Sequence, residues 1–97
     1  MFARVTTFYF RKDLIEKAIE IAKKSIVPAA KQQEGFVSFT VLVDRESGKA
    51  LAITTWESKE NMEANEKNQY YNEQLMKLMV TFTADPFKER FEVEISA

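Results

Sequence analysis

Two absences define what chemistry this sequence can do. None of its 97 residues is histidine or cysteine. The commonest general base and metal ligand is therefore missing, and thiolate nucleophiles and disulfides are excluded. A metal would need an all-oxygen site, and no stretch spaces carboxylates like a calcium loop. No cofactor and no metal are expected. What remains centres on ITTWESKENMEANE (Ile53 to Glu66), which holds the only tryptophan, Trp56. An indole can form a flat wall for an aromatic ligand and donate one hydrogen bond; the alternative is a large side chain closing the end of a core. Asn65 can orient a phenolate or carbonyl through its amide, or be a solvated helix residue. Tyr71 can line a pocket or pack in a core, and the hydroxyls of Ser38 and Thr54 suit a partly polar cavity. Arg90 can bind an anion or pair with a glutamate on a neighbouring strand, and Arg4 has the same two readings.

These residues need elements to place them. Phe2 to Phe10 is aromatic and β-branched without glycine or proline, and predicts a strand. Asp13 can cap a helix running to about Gln33, with Leu14, Ile15, Ala18, Ile19, Ala22, Ile26 and Ala29 forming an apolar stripe. Pro28 should kink or tighten its last turns, and Gly35 is placed to end it in the left-handed region. Phe36–Asp44 and Lys49–Trp56 read as strands. A three-residue loop, Glu46-Ser47-Gly48, would pair Arg45 with Lys49. That register puts Val37, Phe39, Val41 and Val43 on the helix-covered face with Leu51, Ile53 and Thr55. Phe36, Ser38, Thr40 and Leu42 would share the opposite, mixed face with Ala50, Ala52, Thr54 and Trp56. Ser58 can cap a second helical region, broken near Lys67 to Gln69, with an apolar stripe of Met62, Tyr71, Leu75, Leu78, Met79 and Phe82. The Lys/Glu pattern of Glu57 to Lys67 reads as a solvated helix face. After the turn signal Asp85-Pro86, FKERFEVEIS alternates as a last strand.

The order is β-α-β-β-α-β over residues 1–97, a single domain with no repeat or linker. Two right-handed β-α-β halves give an α+β, ferredoxin-like fold: a four-stranded antiparallel sheet with both helices on one face. A chain this short buries only about 60–65% of its unfolded surface, yet 45% of its residues are hydrophobic. The sheet face left bare would carry Phe36, Leu42 and Trp56, which predicts a homodimer with facing sheets and a partly polar cavity between them. A formal charge of −1 with no basic cluster argues against nucleic acid as a partner. No run approaches the roughly 20 apolar residues of a membrane span, and the alternating N-terminus is a poor signal peptide. No membrane partner and a cytoplasmic location are the expectations.

The strand ARVTTFYF, the EGFVSFTVLVD element, the ITTWES junction and the closing DPFKERFEVEIS, in this order and spacing, resemble the antibiotic biosynthesis monooxygenase domain family over nearly the whole chain. The resemblance implies a homodimeric α+β barrel whose subunits each hold a cavity between sheet and helices. It makes Trp56 a match for the pocket tryptophan of several members. Haem-degrading relatives use a first-strand asparagine, a tryptophan and a helix histidine. This chain has Thr6 and Thr7 in the first strand and no histidine, and Asn65 stands where many relatives place a histidine. The implied activity is cofactor-independent monooxygenation of a small phenolic or quinol-type aromatic. The alternative is a non-catalytic homodimer of the same fold that binds a small ligand or serves a structural role.

Overall fold

The computed structural model describes residues 1–97. Strand β1 spans Phe2–Phe10. A helical run follows: a 3-10 turn at Lys12–Leu14, helix α1 at Ile15–Ile21, a π-helical turn at Ala22–Ile26 and helix α2 at Val27–Lys31. Strands β2 (Phe36–Val43) and β3 (Lys49–Trp56) form a hairpin, followed by helices α3 (Lys59–Glu66) and α4 (Gln69–Met76). A 3-10 turn at Met79–Thr81 leads into strand β4, Phe82–Glu92. The four strands are ordered β2-β3-β1-β4 and every neighbouring pair is antiparallel. This is the expected ferredoxin-like α+β arrangement.

Local signals explain most boundaries. Ser58 caps α3 by accepting from the Asn61 amide at 3.1 Å, and Asn68 caps α4 by accepting from the Tyr71 amide at 2.8 Å. Asp13 does not cap: it lies inside the opening 3-10 turn, and its carboxylate takes the Arg11 guanidinium at 2.8 Å. Pro28 does not tighten its helix; the turn before it is widened. It sits in the first turn of α2, directly after the π-helical turn. An α-helical path would drive its ring into the Lys24 carbonyl, and widening the preceding turn relieves that clash. Gly35 has φ +79° but lies beyond the end of α2, where it steers the chain into β2. Strand β4 starts before Asp85-Pro86 instead of after it. The dipeptide is absorbed in a register shift opposite Phe8, tolerated because β4 is an edge strand.

The β2–β3 register differs from expectation by one residue. Val43 pairs with Ala50, Leu42 with Leu51 and Val41 with Ala52. The loop has four residues because Asp44 closes it: its amide donates to Lys49 O at 2.8 Å and its carbonyl accepts from the Gly48 amide at 2.9 Å. Its carboxylate accepts from the Glu46 amide at 3.0 Å and Ser47 Oγ at 2.9 Å. The Ser47 hydrogen bond and then the Glu46 amide hold the Asp44 carboxyl below its ordinary range. The slip turns β3 over. Phe39, Val41 and Val43 face the helices as expected, but their companions are Ala50, Ala52 and Thr54. Leu51, Ile53 and Thr55 pair with Leu42, Thr40 and Ser38 on the other face. A second register shift, at Val37, brings Phe36 opposite Trp56. Trp56 thus lies on the helix side, fully buried, and not on the bare face.

Gly48 has φ +81°, its carbonyl accepts from the Phe10 amide at 2.9 Å, and an added Cβ would strike the Phe10 carbonyl oxygen. Gly48→Ala should destabilise the domain by about 2 kcal/mol and lower Tm by about 10 °C. Glu46→Ala in the same loop should stay within about 0.5 kcal/mol of the parent; calorimetry on both variants checks this.

Candidate functional site

The helix-facing side chains of β1 are Arg4, Thr6, Phe8 and Phe10, alternate residues of one strand spanning about 20 Å. They form the floor of a cavity of about 330 Å³ between sheet and helices, lined by 23 residues of which 17 are hydrophobic. That size sits at the small end of ligand pockets. Ala18, Ala22 and Ile26 of the first helical run close one side, and Tyr71, Leu75 and Leu78 another. Phe8, Phe10 and Phe82 pack with ring centroids 5.5–6.1 Å apart and make one end aromatic. Met76, Met79, Val41 and Lys88 are lining residues that reach solvent. The cavity lies under the helices of a single chain, not between two sheets.

The other end is charged. Arg4 is only 4% exposed, and a buried guanidinium needs partners. Its Nη2 donates to Asn65 Oδ1 at 2.8 Å, and its Nη1 lies 3.5 Å from Glu66 Oε2. The guanidinium carbon sits 5.7 Å from the Trp56 ring centroid and 5.9 Å from that of Tyr71, within cation–π range. In the sheet Arg4 lies directly opposite Arg90. Two like charges on facing residues repel, and Glu66 reaches down from α3 to hold both. Arg90 Nε donates to Glu66 Oε1 at 3.2 Å and Oε2 at 3.1 Å, and Nη2 also donates to Oε1.

The expected site residues divide by position. Thr54 and Tyr71 line the cavity. Trp56 lies behind the lining: its Nε1 donates to Thr54 Oγ1 at 3.0 Å, and Phe36 meets it edge-on at 5.8 Å. The indole N–H is therefore not free for a ligand. Asn65 is buried, and its amide oxygen is committed to Arg4. Arg90 is half exposed beside the cavity and pairs with Glu66 of a helix, not with a strand glutamate. Ser38 stands exposed on the face away from the helices, where the alternation of β2 puts it, and so lies outside the cavity. The Lys/Glu pattern predicts a solvated face for Glu66, yet its side chain is only 16% exposed. A signal for it existed: Met62, Asn65 and Glu66 are spaced i, i+3, i+4 and so share one side of α3. Arg4 was legible as a charge in a buried-looking strand, but its partners were not.

Burial raises the Tyr71 hydroxyl above its ordinary value, against the opposing charge of Arg4, so Tyr71 stays neutral near pH 7. Burial also opposes ionisation of Glu66, but the Arg90 hydrogen bonds and the Arg4 charge outweigh it and hold the carboxyl below its ordinary range. A carboxyl lowered on folding contributes stability above its unfolded value, about 4.3, and loses it as pH falls through the folded value. Glu66→Gln should therefore cost about 2 kcal/mol at pH 7, a gap that narrows as pH falls below about 4. Urea unfolding of both proteins across pH checks it; a pH-independent gap would show that the charge of Glu66 contributes nothing.

Residues 1–73 match the family model for antibiotic biosynthesis monooxygenase. Two uncharacterized proteins of Mycobacterium tuberculosis are each 32% identical over 65 residues, 67% of this chain. The chain spans 29% and 28% of the length of these relatives. Among solved structures, a protein from Deinococcus radiodurans described as an antibiotic biosynthesis monooxygenase superposes with TM-score 0.82 at 15% identity, covering 100% of this chain and 96% of that one. A monooxygenase of Streptomyces coelicolor, solved with the ligand nanaomycin D, gives 0.81 at 17% identity, covering 99% and 89%. A cofactor-independent oxygenase from Streptomyces nogalater gives 0.74 at 17% identity, covering 98% and 94%. The solved structures share the fold, the family model spans both the strand that carries Arg4 and the helix that holds it, and the chain belongs to the antibiotic biosynthesis monooxygenase family.

Proposed function

We propose that this chain is a cofactor-independent monooxygenase acting on a small phenolic or quinol-type aromatic held between sheet and helices. The observation that carries the reading is the cavity: about 330 Å³, apolar along most of its wall, with Arg4, Thr6, Thr54 and Tyr71 as polar groups. Family membership and the likeness to oxygenase structures support it. An electron-rich aromatic, once deprotonated, can reduce dioxygen itself. The protein need only bind it, orient it and exclude water. With an anthrone, a ring CH₂ becomes a carbonyl and the second oxygen atom leaves as water, so no external reductant enters. In this reading Thr54 and Tyr71 touch the ligand, while Trp56 and Asn65 hold Arg4 in place.

Oxygen uptake with a panel of dihydroxynaphthalenes and anthrones tests the proposal. Turnover should exceed the buffer rate for at least one compound, and Ala52→Phe, which fills the cavity, should reduce it by about tenfold or more, as expected when about 1.4 kcal/mol of binding is lost. Uptake no faster than buffer throughout would overturn it. One observation favours a non-catalytic alternative, a small-ligand-binding or structural protein: the chain has no histidine to act as a general base. Native mass spectrometry showing a bound, unconverted ligand would support that reading.

The same proposal includes a homodimer. On the sheet face away from the helices Leu42, Phe87 and Phe91 are 50%, 58% and 51% exposed, beside Val5, Leu51 and Ile53. Such an apolar face suits a self-complementary partner. Light scattering at micromolar concentration should give twice the 11.3 kDa chain mass, and Phe91→Glu should shift it toward the monomer. A monomeric parent protein would rule the assembly out.

A further inference from the structure

Four lining residues of the cavity come from one short stretch: Leu75 and Met76 end α4, and Leu78 and Met79 follow at the start of the 3-10 turn. Spaced i, i+3, they form two pairs on neighbouring sides of the helical run. The leucines are the inner pair, with Leu78 only 4% exposed. The methionines are the outer pair, 61% and 59% exposed, so each belongs both to the cavity wall and to the solvent-facing rim. Both lie on the helix side, away from the sheet face proposed for assembly. The other two methionines differ. Met62 is 1% exposed, and Met1, though open to solvent, lies outside the cavity. Exposure governs how readily a thioether is oxidised, and the sulfoxide that results is polar where the thioether was apolar.

We propose, resting on the cavity as the site of a phenolic or quinol-type aromatic, that Met76 and Met79 are modification sites: hydrogen peroxide converts them to sulfoxides, and the altered rim weakens binding of the aromatic. The oxidant has a source in the same chemistry. A quinol that gives two electrons and two protons to dioxygen outside the productive route becomes a quinone and leaves hydrogen peroxide. At the rim the peroxide O–O bond breaks, a sulfur lone pair forms the new S–O bond, and the second oxygen leaves as water. Sulfur loses two electrons and the peroxide gains them. A thioether makes a favourable contact with an aromatic ring, and a sulfoxide oxygen at the same place draws water to the rim instead. Reductases return the sulfoxide to the thioether, so the change is reversible. Uncoupled oxygen chemistry thus lowers the affinity of the cavity for the substrate that drives it. The inner leucines, which peroxide does not oxidise, keep the wall intact meanwhile.

The test treats the protein with hydrogen peroxide and removes the excess with catalase. Peptide mass spectrometry reads oxidation, and equilibrium dialysis under argon reads binding of 2-naphthol. Met76 and Met79 should oxidise well before Met62, and bound 2-naphthol should slow them while leaving the rate at Met1 unchanged. The oxidised protein should bind 2-naphthol about fivefold more weakly, through loss of the thioether–ring contacts. Treatment with methionine sulfoxide reductases should restore the starting affinity. In the double variant Met76→Leu, Met79→Leu, peroxide should leave the affinity where that variant began. Oxidation of both methionines with affinity unchanged overturns the inference and leaves the cavity reading standing. So does an equal loss in the double variant, or an affinity that stays low once the sulfoxides are reduced. Failure of the untreated protein to bind 2-naphthol overturns the two together. The parent measurements decide the matter even if the double variant does not fold.

Discussion

A single buried charge organises this molecule. Arg4 sits in an inner strand with its side chain under the helices, where an unpaired cation would be untenable. Three elements around it hold it: Asn65 and Glu66 from α3, the Trp56 ring from β3, and the Tyr71 ring from α4. Because Arg90 stands opposite Arg4 in the sheet, Glu66 must serve two cations at once. That requirement fixes where α3 crosses the sheet. Removing any one partner would leave a buried charge with fewer contacts, so the position tolerates little change.

The cavity follows from the same packing, through size instead of charge. Ala18 and Ala22 project from the first helical run, and Ala50 and Ala52 project from β3 into the same space. Small residues on both walls leave volume that interdigitating large side chains would fill. The π-helical turn before Pro28 carries Ala22 and Ile26, two residues that line the cavity. The β2–β3 register matters equally. With Leu51 and Ile53 turned inward, as the three-residue loop required, the floor would have been filled by branched side chains and the space would shrink. Asp44, by closing a four-residue loop, presents alanines to the helices instead.

Local signals in the chain were informative at several element boundaries. Ser58 and Asn68 cap the helices on either side of the break, and Gly48 supplies the positive φ that its turn needs. The strand order and the helix-covered face of β2 could also be read. The readings that failed turn on one-residue differences. Asp44 reads locally as a strand end but is the acceptor that closes the loop, and that one-residue slip puts Trp56 on the helix side while Ser38 keeps the outer face its alternation predicts. Asp85-Pro86 suggests a turn because proline cannot donate to a ladder, but an edge strand accommodates it as an irregularity.

By itself, the sequence determined the fold class, the absence of histidine and thiol chemistry, and the presence of Trp56, Asn65 and Tyr71 near one another along the chain. Hydrophobic period, capping residues and composition are local quantities, and they suffice for that. Only the tertiary structure decided which of these groups meet a ligand space. Arg4 and Asn65 are 61 positions apart, and no local pattern records that one supplies the acceptor for the other. The partnership exists because antiparallel pairing brings β1 between β3 and β4, and α3 then packs over its N-terminal end. Trp56 accordingly is neither a pocket wall nor an idle core residue; it is the aromatic platform against which that cation is held.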